Sequence, residues 1–112
     1  MNIHYITIAG ADYPVCFSGA AVEDIVAAFG GLDVMSEKML AHDVGCIGKM
    51  LDILIGAGIE YCDLMGQEHP KKPKGRITAL MSISELKDVT DKIMEAISED
   101  SDRSVEVRSK NA

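Results

Sequence analysis

The chain has no tryptophan and only five aromatic residues among its 112 positions. Seven methionines replace part of the missing apolar bulk. Because Met side chains are flexible and polarisable, a Met-rich apolar surface adapts its shape, which suits a loosely packed core or a groove for a partner. A chain of this length has room for one domain with a single hydrophobic core.

Cysteine is also scarce, and the three cysteines are Cys16, Cys46 and Cys62. Their odd number, their long spacings and the lack of a CxxC pair indicate neither a zinc knuckle nor a redox pair. Reduced thiols in a cytosolic protein are the simplest interpretation.

Long hydrophobic runs are absent as well. Lys49 and Asp52 interrupt the most apolar stretch, VGCIGKMLDILIGAGI, which is too short and too charged to cross a bilayer. The N-terminus lacks the basic region and the long apolar run of a signal peptide, so we expect none.

Positive charge is in short supply, because eleven Lys and Arg residues face eighteen Asp and Glu and the net charge is −7. Four of the eleven fall within residues 69–76, HPKKPKGR, and removing them from the total leaves −11 for the rest of the chain. A surface of that sign repels nucleic acid and anionic lipid. We therefore expect no nucleic acid or membrane partner, and either good solubility or a basic partner.

The N-terminal residues are typical of a β-hairpin. NIHYITI is short and rich in β-branched residues, which favours a strand. AGAD supplies the Gly and Asp of a tight reversal, and YPVCF is a second strand. Pro14 cannot donate a ladder hydrogen bond, so we expect it on an outer edge or at the start of its strand.

Helical patterns follow the hairpin. Ser18 is a favourable N-cap, and Gly30 and Gly31 can end the first helix. After a weaker helical segment comes VGCIGKMLDILIGAGIEYCDLMG, which is apolar around most of its circumference and is expected to be central. Gly56 and Gly58 within it indicate a kink or the close approach of another helix. The predicted apolar residues of the two shorter helices are Val22, Ile25, Val26, Phe29, Leu32, Met35, Met39 and Leu40.

Residues 66–76 contain two prolines and two glycines and cannot continue a helix. A short helical turn, ITALMS, leads to a last amphipathic helix, at the start of which SISE has capping-box spacing. The tail SEDSDRSVEVRSKNA has no apolar residues at helical spacing, so we expect it to be mobile at its end. SVEVR alternates, and a short added strand is an alternative there.

The sequence thus predicts a single α+β domain over residues 1–100, with an N-terminal β-hairpin at 2–17 followed by a mainly α-helical bundle of about four helices. The helices are predicted at about residues 19–29, 33–42, 44–65 and 84–98. Residues 101–112 are predicted to form a polar, mobile tail.

Residues with the chemistry for metal binding or catalysis form no convincing set. His42 and Cys46 are four residues apart and would share a helix face, as would Asp33 and Glu37. The step of five residues from Glu37 to His42 turns the two pairs away from each other, so no metal site is predicted. Nothing selects a catalytic pair among His4, His42, His69 and the three cysteines, and the glycines match no phosphate loop. We therefore assign no catalytic, cofactor-binding or metal-binding residue and expect no enzyme.

Residues 69–76 have the charge of a small phosphate-binding patch but no aromatic side chain to stack on a base. A solvated basic linker between helices is the default interpretation. The alternative function is a small regulatory or nucleic-acid-binding protein of a mobile element that uses this loop. A third possibility is that the loop docks the acidic face of a neighbouring subunit. A helix-turn-helix regulator is disfavoured, because no candidate recognition helix carries exposed Arg, Asn or Gln.

The order of these parts resembles that of the tail assembly chaperones encoded by siphophages and prophages of Gram-positive bacteria. The resemblance covers nearly the whole chain: the hairpin YITIAGADYPVCFS, the helix end AAFGG, the long helix running into LIGAGIEYCDLMG, the helix ISELKDVTDKIMEAI and the closing RSKNA. The most specific pieces are YPVCFS, ILIGAGIEY and Lys110–Asn111.

This resemblance implies a non-enzymatic role. Such chaperones coat the long helical tape measure protein in the host cytoplasm before the tail tube polymerises, and they are absent from the mature virion. The implied partners are the tape measure protein, the tail tube protein and further copies of the chain. Many are made in two lengths by a ribosomal frameshift, with which AAR-AAY codons for Lys110–Asn111 are compatible.

A chaperone of this kind needs repeated weak apolar contacts along its client. The candidate contact residues lie on the last helix and the tail, and they are Ile93, Met94, Ile97, Val105 and Val107. The alternative that Ile93 and Ile97 belong to the core stays open at this point.

Overall fold

The computed structural model describes the backbone of residues 3–111 and the side chains of residues 3–98. Within these residues the fold is α+β, with a two-stranded antiparallel hairpin followed by four α-helices, as the sequence predicts. The elements are β1 (His4–Ile8), β2 (Ala11–Val15), α1 (Gly19–Phe29), α2 (Leu32–Leu40), α3 (Val44–Met65), a 3-10 helix (Ile77–Leu80) and α4 (Ile83–Asn111).

The two strands are joined by a two-residue turn. Ala9 and Gly10 both have positive φ, 51° and 81°, which is the geometry of a type I′ turn and matches the twist of the strands it connects. The turn sets the register, in which Ile8 lies opposite Ala11 and Tyr5 opposite Pro14.

Helix α3 is the centre of the core, and β2 lies directly against it. A Cβ atom built on Gly58 would overlap the carbonyl group of Pro14 and lie 2.9 Å from the backbone nitrogen of Val15. Just beyond the strand, the N–H of Cys16 donates to the carbonyl oxygen of Leu54 across 3.2 Å. Gly58 therefore marks a close approach to α3, but the element that approaches is the hairpin and not another helix.

The shorter helices contact the core through narrower stripes than the sequence predicts. Ile25 of α1 and Met35 and Met39 of α2 are at most 1% exposed, whereas Val26 is 44% and Leu40 69% exposed. Residues four apart on a helix share one face. A short helix resting on α3 can bury one such row, and apolar residues at its margin stay in solvent.

Side-chain caps position the helix starts. Ser18 accepts from the N–H of Ala21, and Asp43 accepts from the N–H of Cys46. At α4 the predicted capping box is present. The backbone N–H of Ser82 donates to the Glu85 carboxylate, and the backbone N–H of Glu85 donates to the Ser82 hydroxyl oxygen, each across 3.2 Å. Ser82 is thus the N-cap.

Helix α4 is longer than the prediction, which ended it near residue 98. Its backbone is helical to Asn111, so the alternative of a strand at SVEVR is wrong. No Gly or Pro occurs between residues 83 and 111 to stop the helix. The mobility of the tail stays a prediction, and the side chains from residue 99 onward lie outside the described set.

None of the helices in the described range combines the length and apolar character that a bilayer crossing requires.

Candidate partner-binding groove

A groove of about 210 Å³ lies between the open end of the hairpin and the middle of α4. Tyr5 and Phe17 line its hairpin side, and Ile93, Ala96 and Ile97 line its α4 side. Tyr5 is 55% exposed, so an aromatic ring stands at the surface beside the groove. Lys92 and Glu95, both exposed, add one charge of each sign to the lining, the rest of which is His4, Ile6, Val15, Cys16 and Leu54.

The structure separates the candidate contact residues of α4. Ile93 is 1% exposed and is a core residue, which is the alternative that the sequence left open for it; its side chain lies at the base of the groove. The reason is its position: it continues the buried row of Val89 along the face of α4 that covers the core. Ile97 is partly buried and lines the groove, whereas Met94 is partly buried against the core and does not line it.

The tail candidates Val105 and Val107 have side chains that lie outside the described residues. Their backbone is helical, so they cannot act through pairing of a tail strand. The aromatic groove residues that sequence reasoning missed are Tyr5 and Phe17. Tyr5 shares one side of β1 with Thr7, and that polar neighbour was the available signal that this side faces solvent.

Large apolar side chains are also exposed at the ends of the helices. The most exposed are Leu64 at 83%, Ile83 at 76%, Leu40 at 69%, Val44 at 62% and Met65 at 59%. Single exposed apolar residues are common on soluble proteins. Here they accompany a net charge of −7, which opposes non-specific association of the chains.

The basic segment, residues 69–76, runs back along α3 toward its N-terminal half. His69 Nε2 lies 2.7 Å from Asp63 Oδ1, near the end of α3. Lys72 Nζ donates to the carbonyl oxygen of Asp52 across 3.4 Å, about three turns earlier. The segment is therefore a strap that covers one side of the central helix. Lys72, Lys74 and Arg76 also line an open cleft beside Asp52.

No protein-family model, curated protein or solved structure matches the chain.

The cysteine and histidine candidates are not brought together. His42 lies between α2 and α3 with a φ of 56°, so it does not share a helix face with Cys46. The Cys46 thiol is buried and lies 3.9 Å from the carbonyl oxygen of Met35. Burial, followed by the charge of Asp43, raises the pKa of Cys46 and disfavours the thiolate that a nucleophile or metal ligand needs. Among the residues with described side chains, no group of three or more His, Cys, Asp or Glu is placed to hold a metal ion.

Proposed function

We propose that the chain is a non-enzymatic tail assembly chaperone of a siphophage or prophage. In this role it binds the tape measure protein in the host cytoplasm and keeps it soluble until the tail tube forms around it. The proposal is supported by the resemblance of the sequence layout to that family. The structural observation that carries it is the apolar groove between the hairpin and α4.

The chemistry of the groove suits an amphipathic helix. Its walls are aromatic and aliphatic, and Lys92 and Glu95 lie beside them, so an apolar side chain can enter while the polar face of the client helix stays in water. A groove of about 210 Å³ holds few side chains, and each contact is weak. Many copies along one long client would supply the missing affinity through avidity.

Co-expression with the tape measure protein of the same phage tests the chaperone role. The expected result is that the client stays in the supernatant after centrifugation only when this chain is present. Equal solubility of the client with and without the chain would reject the proposed function.

Two variants then test the groove itself. Ala96 is a partly buried residue of α4 that lines the groove, so Ala96→Glu places a charge inside it. Ala27→Glu places the same charge on an exposed residue of α1 that does not line the groove. We expect the client to lose solubility with the first variant and to keep it with the second. Circular dichroism melts of both variants check that each is folded.

A second function is favoured by one observation, the cations of Lys72, Lys74 and Arg76 around the open cleft. Here the chain would bind nucleic acid through phosphate contacts of the strap. Because Lys72 also holds the strap to α3, the test changes Lys71, Lys74 and Arg76 to Gln. Retention on DNA or RNA should fall with rising salt and with these changes. No gel shift at low salt would eliminate this function.

A further inference from the structure

We propose that two copies of the chain associate through the open edge of β1, which forms an antiparallel four-stranded sheet with Tyr5 of one copy opposite Thr7 of the other. This inference does not depend on the proposed function. It follows from the alternation of hydrogen-bonded and non-hydrogen-bonded residue pairs along the hairpin, from the different surroundings of its two edges and from the sequence of β1.

The register determines which backbone groups of β1 are available. In a hairpin with a two-residue turn, the residues flanking the turn exchange hydrogen bonds, and every second pair along the ladder does the same. Ile8, Ile6 and His4 therefore bond to β2, while Tyr5 and Thr7 direct their N–H and C=O groups away from it. Pro14 lies opposite Tyr5 in a pair that is not hydrogen-bonded. This alternation fits the lack of an N–H on proline, because that position needs no donor toward β1.

The outer edge of β2 is covered by α3. The carbonyl group of Pro14 lies against Gly58, and the N–H of Cys16, which follows β2, bonds to the carbonyl oxygen of Leu54. The outer edge of β1 differs. Across the described residues, no backbone hydrogen bond from another element reaches the outward groups of Tyr5 or Thr7.

The open edge also lacks the usual protection against strand addition. Natural edge strands are blocked by charged side chains, proline, bulges or a covering element. HYITI contains no Lys, Arg, Asp or Glu, and no Pro or Gly. Its outward-facing residues Tyr5 and Thr7 are both exposed and both favour strands.

The strand fits a second copy of itself. The outward groups of Tyr5 and Thr7 can all pair in one symmetric antiparallel register, in which Ile6 meets Ile6 of the other copy on the two-fold axis. Tyr5 then faces Thr7 of the second copy on the exposed side, an aromatic and β-branched pair that stabilises sheets. No like charges meet across this register, although each chain carries a net charge of −7.

The first test is the mass of the protein in solution from low micromolar to submillimolar concentration. Sedimentation velocity should show a shift from 12.1 kDa toward twice that mass. Tyr5→Pro removes the outward N–H at a position where edge strands accept proline. Because the pairing is symmetric, Tyr5→Pro removes two hydrogen bonds from the dimer, so the association constant for dimerisation should fall about tenfold or more. Tyr5→Val keeps the N–H and is the matched control that retains most of the association.

A second pair of variants guards against a proline variant that fails to fold. Thr7→Lys places a charge on the edge strand, and Ala27→Lys places the same charge on the exposed side of α1. Association should be lost with the former and kept with the latter. A monomer at all concentrations, or a dimer indifferent to both Tyr5→Pro and Thr7→Lys, would overturn the proposal.

Disulfide trapping tests the register. Tyr5→Cys in one preparation and Thr7→Cys in another should form a mixed disulfide when combined, because directly opposed Cα atoms lie about 5.5 Å apart. Two copies of Tyr5→Cys would be offset by two residues, about 8 Å or more, which exceeds the reach of a disulfide. The three native cysteines are buried and do not compete. Faster formation of either homodisulfide than of the mixed one would overturn the register and with it the proposed pairing.

Discussion

Substitution of Gly58 by alanine tests how the hairpin rests on the central helix. The added methyl group would overlap the Pro14 carbonyl and approach the Val15 nitrogen to 2.9 Å, inside the separation of about 3.5–4.0 Å at which non-bonded atoms attract. The obstructing atoms belong to the backbone, so no side-chain rotation relieves the overlap. The hairpin must shift, and the hydrogen bond from Cys16 to Leu54 is the first interaction at risk.

The expected magnitude follows from two opposing effects. Overpacking a tight site costs about 1–3 kcal/mol, and more where the surroundings cannot relax. Alanine regains about 1 kcal/mol of helix propensity over glycine. Because the contact is with rigid backbone, we place the overpacking cost above that range, at about 3–4 kcal/mol. The net loss in the free energy of unfolding is then about 2–3 kcal/mol, which corresponds to a melting temperature lower by about 10 °C.

Gly56→Ala is the matched control, two residues away on the same helix. A Cβ atom there would lie 3.7 Å from Lys72 Nζ, an ordinary contact with the end of a flexible side chain. This variant should gain about 1 kcal/mol through helix propensity alone. Urea unfolding followed by circular dichroism measures both variants. If Gly58→Ala proves as stable as Gly56→Ala, the described contact between β2 and α3 is wrong.

Three further predictions concern the ends of the helices and the strap. His42 follows the end of α2 and adopts the left-handed region with a φ of 56°, and its N–H donates to the carbonyl oxygen of Met39. His42→Gly should therefore stabilise the protein by about 1 kcal/mol in urea unfolding; a loss of stability would contradict this. Ser82→Ala removes one half of the capping box and should cost about 1 kcal/mol by the same measurement, whereas an unchanged midpoint would show that the cap is unimportant. Hydrogen bonds to the carbonyl oxygen of Pro70 and to Asp63 raise the pKa of His69. Its folded-state pKa therefore exceeds the unfolded value, and its stabilising contribution is complete below pH of about 6.5 and is lost as the pH rises through the folded pKa. The stability difference between the wild type and His69→Gln should thus be larger at acidic than at alkaline pH, and a difference independent of pH would refute the role of the ring charge.

Local signals in the sequence predicted much of the fold. The hairpin follows from its turn residues, the start of α4 from the capping box at Ser82–Glu85, and the central position of α3 from an apolar surface that surrounds the helix. Each of these signals lies within a few residues of the element it defines. The end of α4 was missed because the prediction required an apolar stripe, whereas a helix without Gly or Pro can continue beyond its packing surface.

The role of Gly58 could not be read from the sequence. Two glycines two residues apart look equivalent there, and only the position of β2 shows that one touches backbone and the other touches Lys72 Nζ. The same limit applied to the groove. Tyr5 and Ile97 lie on opposite sides of it although more than ninety residues separate them, and no pattern in a single sequence relates two such positions. The apolar stripe of α4 identified Ile93 and Ile97 together, but only the placed hairpin shows that Ile93 is covered and Ile97 is partly accessible.

The contact at Gly58 also connects the fold to the two proposals. Because β2 rests on α3 through Pro14 and Cys16, its outer edge is occupied and a further strand can be added only beside β1. The same contact positions the hairpin relative to α4, and the groove lies between them. A hairpin displaced by Gly58→Ala should therefore change the groove and the β1 edge together, whereas Ala96→Glu should alter client solubility without affecting dimerisation. Thr7 belongs to the β1 edge but does not line the groove, so separate responses to Ala96→Glu and Thr7→Lys would distinguish a client-binding groove from a self-association edge on one small domain.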